Sequence, residues 1–303
     1  MLATALPHQA AVEKTIERIR RAARSLRVRD SQAERRRLFQ TMPRKPELNN
    51  LIDRKLAYGM LPERISEALP AAIKFAQQVR EERRNAPAKK KADYNPTILD
   101  PKRYEDAPAL FDLILSDEIL QVASDYLGEI PVLMSVKLWC TPQNDHLKGS
   151  QLFHLDNQKW LLRRSKFLIN MDDVDSDCGP FTFLPGDVSE RISRAIGTMK
   201  LQGRVPDKII YEHCKPEDTI SLIGKAGTGG FVDSSRCFHF GARVRKGERL
   251  LLQFNFLSLA DAVHGGTIVR TKAFDERFGN DRIRQLVIPN RDTDKTVVQD
   301  DED

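Results

Sequence analysis

From Val132 to Cys140 apolar and polar positions alternate. Val132, Met134, Val136, Leu138 and Cys140 fall on one side of an extended chain, and Leu133, Ser135, Lys137 and Trp139 fall on the other. Strand side chains point to opposite faces with a period of two, so the pattern predicts a strand. Further short β-branched or aromatic runs follow, "KFLINM", "FTFL", "TISLI", "GGFVD", "RCFHF" and "RLLLQFNFL", each bounded by turn residues. Many short strands at close spacing predict a sandwich or closed barrel. Helical spacing appears over 117–127, where Ile119, Leu120, Val122, Ala123, Tyr126 and Leu127 form a stripe, Ser116 is placed as N-cap, and Gly128 and Pro131 act as stops. It appears again in Ile16, Ile19, Ala23 and Leu26, and in Ile65, Leu69, Ile73, Phe75 and Ala76. The expected fold class is α+β with a mainly β core and flanking helices.

Charge divides the chain. The net charge is +6, yet residues 1–95 hold 22 Lys and Arg against 11 Asp and Glu, a surplus of eleven, so the remainder carries a deficit of five. The organisation expected is a basic helical segment with linker over 1–95, closing in "RNAPAKKKADYNPT", a β domain over 96–290, and an acidic, disordered tail over 291–303. With 303 residues, 40% of them hydrophobic and 30% charged, the chain has the make-up of a globular protein with a sizeable core. No apolar run reaches 18 residues and the N-terminus lacks secretory flanks, so no membrane partner and a cytoplasmic location are expected. Cys140, Cys178, Cys214 and Cys237 lie far apart without a Cys-x-x-Cys pair, which predicts free, mostly buried thiols. The basic segment has few aromatics and no nucleic-acid reader motif, so a solvated helical face is the preferred reading.

Candidate chemistry starts at "QLFHLD", residues 151–156. In an extended chain His154 and Asp156 share one face, while Phe153 and Leu155 share the other. Such a pair alone is ordinary, since histidines often hydrogen-bond to carboxylates. Its company is His239 in "RCFHF", on a face with Cys237 and Gly241, and Arg249, which opens the next strand on a face with Leu251, Gln253 and Asn255. Two histidines and one carboxylate occupy one face of an octahedral ion and leave three positions open, as in non-haem Fe(II) oxygenases. A closed structural zinc site would leave none.

The order of these pieces resembles the phytanoyl-CoA dioxygenase family of Fe(II)/2-oxoglutarate-dependent oxygenases. The resemblance runs from about 107 to 258 through "DEILQVASDYLGEIPVLMSVKLW", "FHLDNQKWLLRRSKFLINMDDVDSDCGPFTFLPGD" and "GKAGTGGFVDSSRCFHFGARVRKGERLLLQFNF". It implies a double-stranded β-helix of the jelly-roll or cupin-like kind and an oxidoreductase acting on a small molecule. His154, Asp156 and His239 would be the iron ligands and Arg249 the residue holding the distal carboxylate of 2-oxoglutarate. Lys137 would face the cosubstrate, against the equally ordinary reading of a solvent-facing lysine on an edge strand. O2 and 2-oxoglutarate would be consumed, succinate and CO2 released, and a C–H bond hydroxylated or otherwise oxidised. A carboxylate at Asp156 favours hydroxylation, because related halogenases carry a small residue there. Two departures stand out: "LPGD" lacks the Ser-His that often follows, and Gly241 replaces a hydroxyl found in some members.

His146, Trp160, Arg163 and Arg164 are candidate substrate contacts on loops near the His-x-Asp stretch. His8 and His264 are expected to face solvent, and His213 to lie in a charged loop. Pro185 and Gly186 fit a type II turn, and Asp187 with Glu190 reads as a helix cap and its partner. Other readings are a catalytically inactive binding or regulatory family member, a nucleic-acid-associated protein acting through the basic helices, and a metal-dependent isomerase, which would leave Arg249 without a role. Substrate identity and oligomeric state are not legible at this level.

Overall fold

The structure, a computed structural model, describes residues 15–16, 19–20, 22–84, 95–145, 147–156, 163–197, 203–262 and 266–290. His8, His146, Trp160, His264, most of the expected linker and the acidic tail lie outside these residues. The alternating runs form a six-stranded antiparallel sheet in the order β1 (Tyr58–Met60), β7 (Gly229–Val232), β4 (Ser165–Asn170), β9 (Glu248–Leu257), β3 (Val132–Pro142) and β2 (Thr97–Leu99). A second, three-stranded sheet runs β6 (Ile220–Ser221), β5 (Thr182–Phe183), β8 (His239–Phe240). The helices are α1 (Arg29–Thr41), α2 (Leu69–Arg84), α3 (Pro108–Ile114), α4 (Asp117–Leu127), α5 (Gly186–Ile196), α6 (Asp207–Tyr211), α7 (Lys272–Phe278) and α8 (Arg282–Val287). Among the described residues no helix is long and apolar enough to cross a membrane.

The two faces of the large sheet do different work. Val136 and Leu138 of β3, Phe167 and Ile169 of β4, and Leu250, Leu252 and Phe254 of β9 pack in one core with Leu110, Phe111, Ile119 and Leu120 of α3 and α4. Phe167 stacks on Phe254 with ring centroids 4.6 Å apart. Each such side chain contributes roughly 1.5–3 kcal/mol on burial. The opposite face of the same strands carries Ser135, Lys137, Trp139, Lys166, Leu168, Gln253 and Asn255, and these line a cavity. An antiparallel sheet can leave its polar face to water, but here the small sheet brings His239 to the cavity on that face.

Helix α4 forms as its stripe predicts, with Ser116 at the N-cap and Gly128 at φ 83°, the left-handed conformation that closes the helix. In β3 a register shift between Leu133 and Ser135 breaks the alternation, so Leu133 joins the core with Val136. Residues 1–95 differ from the expected helical preamble. They supply β1, which pairs with β7, while Leu48, Ile52, Ile65, Leu69, Ala72 and Ala76 belong to the main core. Ile16, Ile19 and Leu26 are exposed, and among the described residues Val28 is the first buried one. Further along, Arg35 is fully buried and donates to the carbonyls of Ile130, Pro131 and Leu286.

Two local expectations are corrected. Gly186 begins α5 directly, with Pro185 as N-cap and Asp187 inside the first turn, so neither the type II turn nor the Asp187 cap forms. Glycine is needed there for close approach, since a Cβ would lie 2.9 Å from that of Ala57. The cysteines are free, but only Cys140 and Cys237 are fully buried.

Candidate metal centre

Residues 151–156 are not a laddered strand. A short 3-10 turn, Gly149–Gln151, leads into isolated antiparallel bridges that pair Phe153 with Val205 and His154 with His239. The expected alternation survives nonetheless. Phe153 and Leu155 pack in a cluster with Phe238, while His154 and Asp156 line the cavity. His154 and His239 exchange backbone hydrogen bonds of 3.0 Å in both directions, and the Asp156 amide donates to Ser234 O at 2.8 Å. The His154–Asp156 pair and the distant His239 are thereby brought together by main-chain hydrogen bonds.

The ligand atoms of His154, Asp156 and His239 lie within 4.8 Å of one another, a spacing that could hold a metal ion. His154 Nε2 is 3.7 Å from Asp156 Oδ1, and His239 Nε2 is 3.8 Å from Asp156 Oδ2. Adjacent ligands at about 2.1 Å from one ion would be roughly 3 Å apart, so only a small contraction is required. The tautomers suit the task. His154 Nδ1 lies 2.8 Å from Leu152 O and His239 Nδ1 lies 2.9 Å from Cys237 O. A carbonyl only accepts, so each Nδ1 carries the proton and each Nε2 presents its lone pair inward.

Electrostatics points the same way. Burial lowers the His154 pKa to about 2, helped by the charge of His239 and opposed by Asp156. Burial likewise lowers His239 to about 4. Both imidazoles are therefore neutral at pH 7, as metal ligation requires. Burial pushes the Asp156 carboxyl up, but the Lys166 ammonium and the two imidazoles outweigh it and hold the group well below the ordinary carboxylate range. Lys166, nearly buried, donates directly to Asp156 Oδ2.

Arg249 is buried and faces the same cavity. Its Nη1 donates to Gly179 O at 2.7 Å, Nη2 lies 3.5 Å from Thr141 Oγ1, and Nε has no partner. Burial lowers its pKa only to about 10, so it stays charged. No carboxylate pairs with it among the described residues. A guanidinium in that condition can donate to a ligand carboxylate. Gly241 explains one departure in the sequence, because a Cβ there would sit 3.0 Å from Arg249 Nη1.

Lys137 faces the cavity from β3, an inner strand, with its ammonium 5.4 Å from the Trp139 ring. Arg164 also lines it. Arg163 does not: it is exposed, its guanidinium 5.9 Å from the Tyr126 ring. Lys166 and Arg204 are cavity residues that sequence reading passed over. Lys166 had a legible signal, since Arg164, Lys166 and Leu168 share one face of an otherwise apolar strand. Arg204 had none, because its place follows only from the Val205–Phe153 bridge.

No protein-family model matches the chain, and no curated protein matches it in sequence. Solved structures do resemble it. EctD from S. alaskensis with bound Fe superposes with a TM-score of 0.52 at 14% identity, covering 77% of this chain and 84% of that one. The same protein with 2-oxoglutarate and 5-hydroxyectoine gives 0.51 at 15% identity, over 73% and 78%. HygX from Streptomyces hygroscopicus with nickel and 2-oxoglutarate gives 0.48 at 12%, over 71% and 88%. At these identities the likeness to EctD is one of fold.

Proposed function

We propose that this chain is an Fe(II)- and 2-oxoglutarate-dependent dioxygenase of the phytanoyl-CoA dioxygenase family, its two sheets closing as a double-stranded β-helix built from residues 96–290 together with β1. The observation that carries the reading is the conjunction of His154, Asp156 and His239 with a buried Arg249 lacking a carboxylate partner, in one cavity of about 490 Å³. Resemblance of fold to EctD, crystallised with Fe and with 2-oxoglutarate, supports it.

In this reading His154 Nε2, Asp156 Oδ1 and His239 Nε2 hold the iron, and Lys166 keeps Asp156 oriented through Oδ2. Arg249 anchors the distal carboxylate of 2-oxoglutarate, and Lys137 faces the same cosubstrate. When bound, iron and 2-oxoglutarate supply the O2-dependent oxidation of a C–H bond, with release of succinate and CO2. Phe181, Leu168 and Leu251 contribute apolar wall that limits water around the reacting atoms. The small molecule is positioned by the remaining cavity residues.

The Lys166–Asp156 contact favours one other reading, a binding protein in which lysine has replaced the ion as the carboxylate's partner. Equilibrium dialysis with Mn(II) separates the two. The oxygenase reading expects stoichiometric binding, lost on His154→Ala, Asp156→Ala or His239→Ala, and succinate production with Fe(II). Wild-type protein that takes up no divalent ion would leave the binding reading in possession.

A further inference from the structure

The cavity holds more positive charge than the proposed reaction uses. Among the described residues, Lys137, Arg164, Lys166, Arg204 and Arg249 line it against one acidic side chain, Asp156, a surplus of four. Binding of Fe(II) and of dianionic 2-oxoglutarate cancel each other and leave the surplus intact. Three of the cations have work in that scheme: Lys166 on Asp156, Arg249 and Lys137 on the cosubstrate. Arg164 and Arg204 have none.

Both are built into the site. Arg164 immediately precedes the strand that carries Lys166 and Leu168 and lines the cavity with them, half-buried, and its Nε is buried without a partner. Arg204 stands at the solvent-exposed side, and the amide of the next residue, Val205, donates 2.7 Å to Phe153 O beside His154. Neither is ion-paired to a carboxylate of the described residues. Arg243 nearby shows the contrast, since its fork is satisfied by both oxygens of Asp207 at 2.7 Å. Planar forks left unpaired in a cleft of one sign concentrate anions and match carboxylate or phosphate oxygens two at a time.

We propose that Arg164 and Arg204 form a subsite for an anionic group, carboxylate or phosphate, of the substrate, and that the oxidised carbon lies between this anchor and the His-Asp-His cluster. The proposal rests on the oxygenase reading for the word substrate; the anion site itself does not. Both guanidiniums line the cavity that holds the candidate metal centre, so anchor and centre together would hold a small molecule at two points, which fixes the carbon presented.

The test is isothermal titration of protein loaded with Mn(II) and 2-oxoglutarate, using phenyl phosphate, benzoate and neutral benzamide as probes. At least one anion is expected to bind ten or more times tighter than benzamide. Arg164→Gln and Arg204→Gln should each weaken that anion by about tenfold, the effect of one charge-assisted hydrogen bond, without changing benzamide or 2-oxoglutarate binding. Which anion wins tells carboxylate from phosphate. Equal binding of benzamide and both anions would overturn the proposal, as would anion binding indifferent to both Gln variants. Anion binding lost only in Arg249→Met would also overturn it, by showing the probe in the cosubstrate's place. Should the protein take up neither Mn(II) nor 2-oxoglutarate, the oxygenase reading fails separately, and the same titrations on metal-free protein decide the subsite.

Discussion

His154 and His239 are neutral because they are buried, and that makes the candidate centre sensitive to acid even without an ion. An unfolded histidine titrates near 6.5, whereas these titrate at about 2 and about 4 in the fold. The unfolded chain therefore takes up protons that the folded one refuses. Stability is full above about pH 6.5 and falls as pH drops toward the folded values. Denaturant unfolding of metal-free protein should show a loss of about 1 kcal/mol or more between pH 7 and 5, and His239→Gln should flatten that slope; a wild-type profile as flat as the variant's would refute the burial argument. Arg249 gives the second residue-level prediction. Replacing its fork by lysine should weaken 2-oxoglutarate binding by roughly 10- to 100-fold in titration calorimetry with Mn(II). Gly241→Ala should weaken it by a smaller factor with little change in Tm, because the new methyl presses on a guanidinium held by Gly179 O. Unaltered affinity in both variants would remove Arg249 from the site. His154, Asp156, His239 and Arg249 were legible in sequence because strand alternation reports side-chain direction. Lys166 carries the same alternation, on one face with Leu168, but a lysine on a short strand is as readily solvent-facing, and only the tertiary fold reveals that both faces of β4 are covered.

Elements were legible where local chemistry alone shapes them. Helix α4 has its stripe and its stop, and β3 and β9 are long enough for alternation to speak. Strand β1 is three residues, Tyr58-Gly59-Met60, too short for a period and dependent on β7 for its existence. The 151–156 stretch misled in the other direction: its alternation is real, yet its hydrogen bonds go to isolated bridges rather than to a ladder. Likewise α1 gives no sequence sign that its Arg35 is a clamp. Three carbonyls from the α4–β3 connection and α8 accept its N–H groups in a fully buried setting. Arg35→Ala orphans them and removes a buried charge's hydrogen bonds, so it should destabilise the whole protein by about 3 kcal/mol or more. A single cooperative unfolding transition shifted down in Tm is expected. If instead the main transition stays put, α1 is an appendage to a core that forms without it.

For the molecule as a whole, the charge asymmetry is answered internally. Arg44 pairs with Asp125 at 2.9 Å and Lys45 with Glu118 at 2.6 Å, both joining the basic segment to α4. Arg80 and Arg84 of α2 pair with Asp172 and Glu248, next to the large sheet. Part of the surplus of the first 95 residues, these four cations, thus meets carboxylates of the remainder across the packed interface. A surface evolved to grip nucleic acid would instead leave such cations unpaired on one face and set aromatics among them. Each exposed pair adds at most about 1 kcal/mol to stability, but together they withdraw positive charge from what a polyanion would meet. Net charge +6 still predicts weak, non-specific attraction at low ionic strength. Counterion release makes such attraction collapse with salt, so fluorescence anisotropy with a labelled duplex should show binding weaker than about 100 µM at physiological salt. Saturable, salt-resistant binding tighter than that would reinstate the basic segment as a nucleic-acid surface and require that the pairs to Asp125, Glu118, Asp172 and Glu248 open to form it.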